Sequence, residues 1–189
     1  NAYDRGTDAE HQERVFDVYA DLLRRSVTWP TLGNHDTADS TSPPDALPYF
    51  QIFSPPIDGR CGGVPSGQKL YYAFDAGDIH FVCLDSMVSS RQPGSPMLKW
   101  LEADLAANRC SWTVAFWHHP PYTKGAIDSD TETNATEMRR HVLPLLEQHG
   151  VDLVLGGHSH VYERSVLLDG HYGDSGTLTD AMRLDAGSG

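Results

Sequence analysis

The chain has 189 residues, 39% hydrophobic and 21% charged, with a formal net charge of −12 when its ten histidines are counted neutral. That length supports one domain with a substantial core, and the composition is that of an ordinary globular chain rather than a disordered one. So acidic a surface argues against binding long nucleic acid through its phosphates, and no apolar run approaches a membrane span, so neither partner is expected.

Taken in order, Asp8 to Ser26 reads as a helix, with Val15, Phe16, Val18, Tyr19, Leu22 and Leu23 in an apolar stripe and Thr7 or Asp8 as its N-cap. Trp29 to Leu32 reads as a short strand leading into Gly33-Asn34-His35-Asp36. A long Pro- and Gly-rich loop from Thr37 to Gly67 follows, with an aromatic patch at Tyr49-Phe50; loops of this length tend to form lids or rims. Leu70 to Asp75 and Ile79 to Asp85 form a hairpin around Ala76-Gly77-Asp78, and Ser95-Pro96 opens a helix. Trp112 to Trp117 is a strand running into His118-His119-Pro120. Ala135 to His149 is an amphipathic helix stopped by Gly150, and Val151 to Leu155 reads as a buried strand. Arg164 to Leu168 reads as a returning strand, and the tail from Asp169 to Gly189 shows no closing element. Strand and helix alternate with polar clusters at strand ends, which defines an α/β domain with its site along one edge of the sheets.

Those clusters carry the chemistry. In an extended chain His158 and His160 point to one face, presenting two imidazoles just past a strand end, a donor pair suited to zinc, iron or manganese. Gly33-Asn34-His35-Asp36 adds an amide oxygen and a third imidazole, and His118-His119 adds two more. Of the cysteines, Cys83 reads as a buried hydrophobe, while Cys61 and Cys110 leave a disulfide open in an oxidising compartment. Asn134-Ala135-Thr136 is a glycosylation sequon, meaningful in a eukaryotic secretory setting.

Gly33-Asn34-His35-Asp36, the strand ending at His118 and Gly157-His158-Ser159-His160, in this order and at these separations, resemble the calcineurin-like metallophosphoesterases, and within them the bacterial-type purple acid phosphatases. Asn1-Ala2-Tyr3 matches the end of that family's Gly-Asp-X-X-Tyr motif. The resemblance implies a β-sandwich flanked by helices, with the site at the C-terminal ends of strands. It also implies a dinuclear metal centre for hydrolysing a small phosphate ester, with a metal-bound hydroxide as nucleophile. Tyr3 and His160 would hold the first ion, Fe(III) by family convention. Asn34, His118 and His158 would hold the second, Zn, Fe or Mn(II). His35 would contact the phosphate and assist the leaving group, Asp36 would orient His35, and His119 would be a rim residue or a substrate contact.

Against the family's pattern, two carboxylates are missing: the Asp-X-Gly motif of the opening strand and the bridging Asp expected just before Asn1. The expectation is therefore a single, truncated catalytic domain with an incomplete first metal site, its C-terminal Ala186-Gly187-Ser188-Gly189 stopping mid-domain. A catalytically silent metal-binding or interaction domain is the alternative. Export is typical of the branch, so a secreted or periplasmic location is expected. No residue in the loops dictates a particular phosphate ester.

Overall fold

The computed structural model describes residues 2–38 and 46–185. Asn1, the part of the long loop at 39–45 and the tail 186–189 lie outside the described residues.

The expected N-terminal helix is three pieces: α1 (Asp8–His11), a π-helical turn at Gln12–Phe16, and α2 (Ala20–Leu23). Thr7 caps α1 with a reciprocal Thr7–Glu10 capping box. The apolar stripe is not a core face here: Val18, Tyr19 and Leu22 are 61%, 52% and 58% exposed. A π turn adds a residue to the repeat, so side chains at 3-to-4 spacing no longer stay on one side. The segment meets the rest of the fold through buried His11, whose ring lies edge-on to Phe53.

The run before Gly33 is not a strand either. Pro30 has no N–H to give a ladder, and side chains anchor the run instead. The buried hydroxyls of Tyr49 and Tyr72 both donate to the Pro30 carbonyl, at 3.0 and 2.6 Å, and Thr31 Oγ1 donates to Leu84 O. Tyr49 belongs to α3 (Pro48–Ile52), a short helix where the sequence showed only loop; with Leu32, Leu47 and Phe50 it makes a satellite core.

β1 (Tyr72–Ala76) and β2 (Ile79–Cys83) form the expected antiparallel hairpin, turning at Gly77, whose φ of 64° suits glycine. α4 (Pro96–Ala107) follows, with Ser95 as N-cap and Pro96 in its first turn. β3 (Trp112–Phe116) adds parallel to β2. The second long helix runs as α5 (Thr133–Glu137), a π turn at Met138–Val142, and α6 (Leu143–Gln148), ending at Gly150 with φ 69°. β4 (Leu153–Leu155) adds parallel to β3, giving a mixed sheet in the order β1-β2-β3-β4. Leu153 and Leu155 are 49% and 50% exposed, because β4 is the sheet's edge rather than the buried strand its apolar run suggested. The tail does close on a strand: β5 (Leu167–Leu168) pairs antiparallel with β6 (Arg183–Asp185).

The core lies between the main sheet and its helices. Ala73, Val82, Leu84 and Ala115 meet Met97, Leu98, Trp100, Leu101 and Leu105 of α4 and Met138, Val142 and Leu146 of the second helix. Full burial of each large apolar side chain is worth about 1.5–3 kcal/mol. On the opposite face, Tyr72, Phe74 and Cys83 pack with Trp29, Phe81 and Phe116. The fold is α/β, as expected. Cys61, Cys83 and Cys110 are free thiols, so the open disulfide is not formed in this structure.

Candidate metal centre

β3 and β4 stop at the same level, with Phe116 opposite Leu155. Two bonds extend the pairing past the ladder, from Trp117 N–H to Leu155 O (3.2 Å) and from Gly157 N–H to His118 O (2.8 Å). A Cβ on Gly156 would lie 3.0 Å from Pro120 Cα, so glycine lets the two chains approach. Beyond it the backbone does not stay extended. His158 and His160 adopt φ 64° and 55°, so the two imidazoles turn to different partners instead of sharing one face. A non-glycine residue in the left-handed region costs on the order of 1–3 kcal/mol, and such strain gathers at ligand sites. Buried Ser159 pins the turn, its hydroxyl 2.6 Å from Thr123 Oγ1, which in turn donates to Glu163.

Three donor atoms converge. Asn34 Oδ1 is 2.8 Å from His118 Nε2, and His118 Nε2 is 3.0 Å from His158 Nδ1. Donors on a tetrahedral zinc with ~2.0–2.1 Å bonds lie roughly 3.3 Å apart, so this spacing fits a shared ion with little movement. Burial, aided by the charges of His119 and His158, pushes His118 down to about 3. Burial also pushes His119 down to about 4 and lowers His158. These rings are therefore neutral at ordinary pH, the form in which a ring nitrogen offers its lone pair to a metal. The donors fit a borderline divalent ion.

A second pair lies alongside. Tyr3 Oη is 2.6 Å from His160 Nε2, and the Tyr3 ring is 4.1 Å from that of His35. Tyr3 is not frayed: the Glu10 carboxylate accepts the N–H groups of Asp4 (2.5 Å), Arg5 (3.1 Å) and Thr7 (2.9 Å). Those bonds, the Thr7 backbone foremost, hold that carboxyl down to about 2. The same loop rests on the Asn34 turn, since a Cβ on Gly6 would meet Asp36 Cα at 2.7 Å.

His35 is half-buried, and its Nδ1 lies 2.8 Å from the Asp4 carbonyl. The sequence reading had Asp36 orient this ring. The structure puts the Asp4 carbonyl on the ring and turns the buried Asp36 toward Gly33 N–H (2.9 Å) and His11 Nε2 (3.5 Å). Of the two expectations for His119, the rim position is not met. The residue is 2% exposed, behind the donors rather than at a rim, with Nδ1 2.8 Å from Ser86 Oγ. Its ligand nitrogen, with those of His118 and His158, falls in a cluster whose members all lie within 4.8 Å of one another. The sequon's Asn34-like amide at Asn134 is likewise engaged inside the fold, with Arg91 and His119.

Glu10, His11, Ser86 and Arg91 were not singled out from sequence. Only Glu10 left a signal, three residues after Thr7 at capping-box spacing; the others act through contacts across the fold.

A strand-end site of this kind, made of histidines and an amide, offers the donors to hold a metal ion. A family model for calcineurin-like phosphoesterase matches residues 2–162, and the chain belongs to that family. Among its relatives, purple acid phosphatase 23 of Arabidopsis thaliana is 35% identical over 135 residues, covering 70% of this chain and 28% of the relative. An uncharacterized protein of Mycobacterium tuberculosis is 31% identical over 185 residues, covering 87% of this chain and 34% of its own. The chain thus spans about a third of the length of these relatives. A solved structure of a purple acid phosphatase from yellow lupin seeds aligns over 48% of this chain and 16% of its own, with a TM-score of 0.37 and 17% identity. The family implies a dinuclear metal centre.

Proposed function

We propose that this chain supplies most of the metal centre of a phosphatase that hydrolyses small phosphate esters. The observation that carries the reading is the convergence of Asn34 Oδ1, His118 Nε2 and His158 Nδ1, from three distant segments, at 2.8–3.0 Å. Asn34, His118 and His158 would hold a zinc, iron or manganese ion, and Tyr3 with His160 would contribute to a ferric one. When bound, two such ions supply a hydroxide from water at mild pH and neutralise the charge of the phosphoryl oxygens. His35 stands beside both donor groups. With its Nδ1–H given to the Asp4 carbonyl, it can hand a proton to a leaving alkoxide only from Nε2, so it acts in its doubly protonated form. Loss of that proton donor typically costs ~10²–10⁴-fold.

The test is hydrolysis of p-nitrophenyl phosphate by protein loaded with iron and zinc, together with elemental analysis. Metal-dependent turnover that His35→Ala lowers by at least about 100-fold, with the metal content unchanged, is expected. Turnover that survives both chelation and His35→Ala would refute the reading. A second reading, a domain that binds an ion without turnover, is favoured by the smaller donor set at Tyr3 and His160. One ion per chain, lost in His158→Ala, with no hydrolysis under any loading, would establish it instead.

A further inference from the structure

Behind the donor atoms runs a chain of hydrogen bonds whose polarity is fixed at one end. Arg91 follows β2 on a loop set by Asp85, whose buried carboxylate accepts the N–H groups of Met87, Val88 and Ser89. The guanidinium is held on every side. Its Nε donates to Glu137 Oε2 at 2.8 Å, its Nη1 to the carbonyls of Ser86 and Ser89 at 3.2 and 3.0 Å, and its Nη2 to Asn134 Oδ1 at 2.9 Å. Gln92 braces the other Glu137 oxygen at 2.7 Å.

A guanidinium has donors only, so the Asn134 atom facing it must be the oxygen. That leaves the Asn134 Nδ2 donors facing His119 Nε2, at 3.4 Å. Had Nε2 carried the proton, two donors would oppose each other inside a buried site. Nε2 must therefore accept, and the His119 proton sits on Nδ1, donated to Ser86 Oγ at 2.8 Å. The same Ser86 oxygen takes the His119 backbone N–H at 3.1 Å, using its two lone pairs. One cation thus sets, through an amide, the tautomer of an imidazole it does not touch.

The consequence reaches the donor set. The His119 ring centroid is 4.5 Å from that of His158 and 5.0 Å from that of His118. A spare imidazole so placed, with a free lone pair, would compete for the same ion as a further ligand and close the position that phosphate needs. We propose that Arg91, acting through Asn134, is a positioning residue that locks His119 as the neutral Nδ1–H tautomer and keeps its Nε2 off the ion, leaving Asn34, His118 and His158 as the ligands. The proposal rests on the phosphoesterase reading above for its metal, but the tautomer itself is a property of the protein alone.

Two measurements separate these layers. In metal-free, ¹⁵N-labelled protein, the histidine ring resonances report which nitrogen of His119 bears the proton. The wild type is expected to show Nδ1–H. Asn134→Asp keeps an oxygen for Arg91 but offers His119 an acceptor, and is expected to move the proton to Nε2 with little change in melting temperature. A wild-type Nε2–H tautomer, or a proton that stays on Nδ1 in Asn134→Asp, overturns the proposal. The second measurement is titration with Co²⁺, followed by its visible absorption. Asn134→Ala frees Nε2, so the spectrum should change as a further nitrogen joins the ion and affinity should tighten about tenfold, on the scale of outer-ligand effects. His119→Ala placed on that background should restore the wild-type spectrum. Identical Co²⁺ spectra in wild type and Asn134→Ala overturn the proposal while leaving the phosphoesterase reading intact. A wild type that shows Nδ1–H yet takes up no Co²⁺ removes the metal reading, and the proposal falls with it.

Discussion

His80 lies at the other end of the sheet from the metal centre and makes the fold's stability depend on pH. Its Nδ1 is 2.7 Å from Asp75 Oδ1 and its Nε2 2.8 Å from Asp104 Oδ2, and Asp104 also accepts Val64 N–H at 2.6 Å. Carboxylates only accept, so both bonds are made at once only by the imidazolium. Burial acts to lower the pKa of His80, but the bonds to Asp104 and Asp75 outweigh it and raise the pKa above 6.5. The unfolded imidazole titrates near 6.5, so this contribution is complete below that pH and fades as pH climbs through the raised folded value. Asp104→Asn keeps the shape and the acceptor for Val64 but turns the bond to His80 into one with an amide. A buried bond to a charged group is worth about 1.5–3 kcal/mol. At about 2–4 °C per kcal/mol for a chain of this size, the variant should melt roughly 3–12 °C below wild type at pH 5.5. The gap should narrow as the pH is raised to 9. Thermal melts by circular dichroism at both values provide the test, and a gap that is equal at both or wider at pH 9 would show that His80 is not a charged bridge.

Other expectations follow from particular contacts. His118→Ala, which takes the donor shared by Asn34 and His158, should weaken Zn²⁺ binding at least about 100-fold in a competition titration with a chelating dye, the loss of one of three protein ligands being larger than that of an outer partner. In Gly33→Ala the new Cβ would sit 3.0 Å from the His118 ring and 3.3 Å from Asp36 Oδ2; the ring must shift, and metal affinity should fall about tenfold while the melting temperature moves little. Arg139 is fully buried and donates to Pro121 O and Ser129 O, with Asp130 and Asp174 at 3.2 and 3.3 Å. Arg139→Met leaves the Pro121 and Ser129 carbonyls without their donor and should cost about 1–3 kcal/mol in urea unfolding. Ser95→Ala removes the cap whose hydroxyl accepts Leu98 N–H, and should cost about 1 kcal/mol by the same assay.

What could be read from the sequence was what is short in range or repeated in kind. The β1–β2 hairpin, the Ser95-Pro96 start of α4 and the Gly150 stop are local signals, and each lies where it was expected. The glycine and histidine clusters marked the strand ends, yet the partnerships among them span 84, 40 and 157 residues for Asn34–His118, His118–His158 and Tyr3–His160. No periodicity encodes contacts of that range. The same limit explains the errors. Val18, Tyr19 and Leu22 had the spacing of a core face, but a π turn changed the phase, and Leu155 had the composition of a buried strand, but strand order put it at an edge. His119 looked like its neighbour in every local respect. Contacts across the fold, with Ser86 and with Asn134 held by Arg91, tell the two rings apart.

The alignment of strand ends has a consequence for how such a chain can vary. Cys83, Phe116 and Leu155 stand in one row across β2, β3 and β4, and the segments that carry His118 and His158 begin just past that row. A residue inserted within β3 or β4 reverses which side of the sheet each later side chain faces, and would carry His118 or His158 out of the centre. The same insertion in the crossovers between strands leaves the row where it is, and even several added residues cost little chain entropy there. Change in length is therefore forbidden over a few residues and permitted over dozens. The permitted stretches can be rebuilt while Asn34, His118 and His158 stay together.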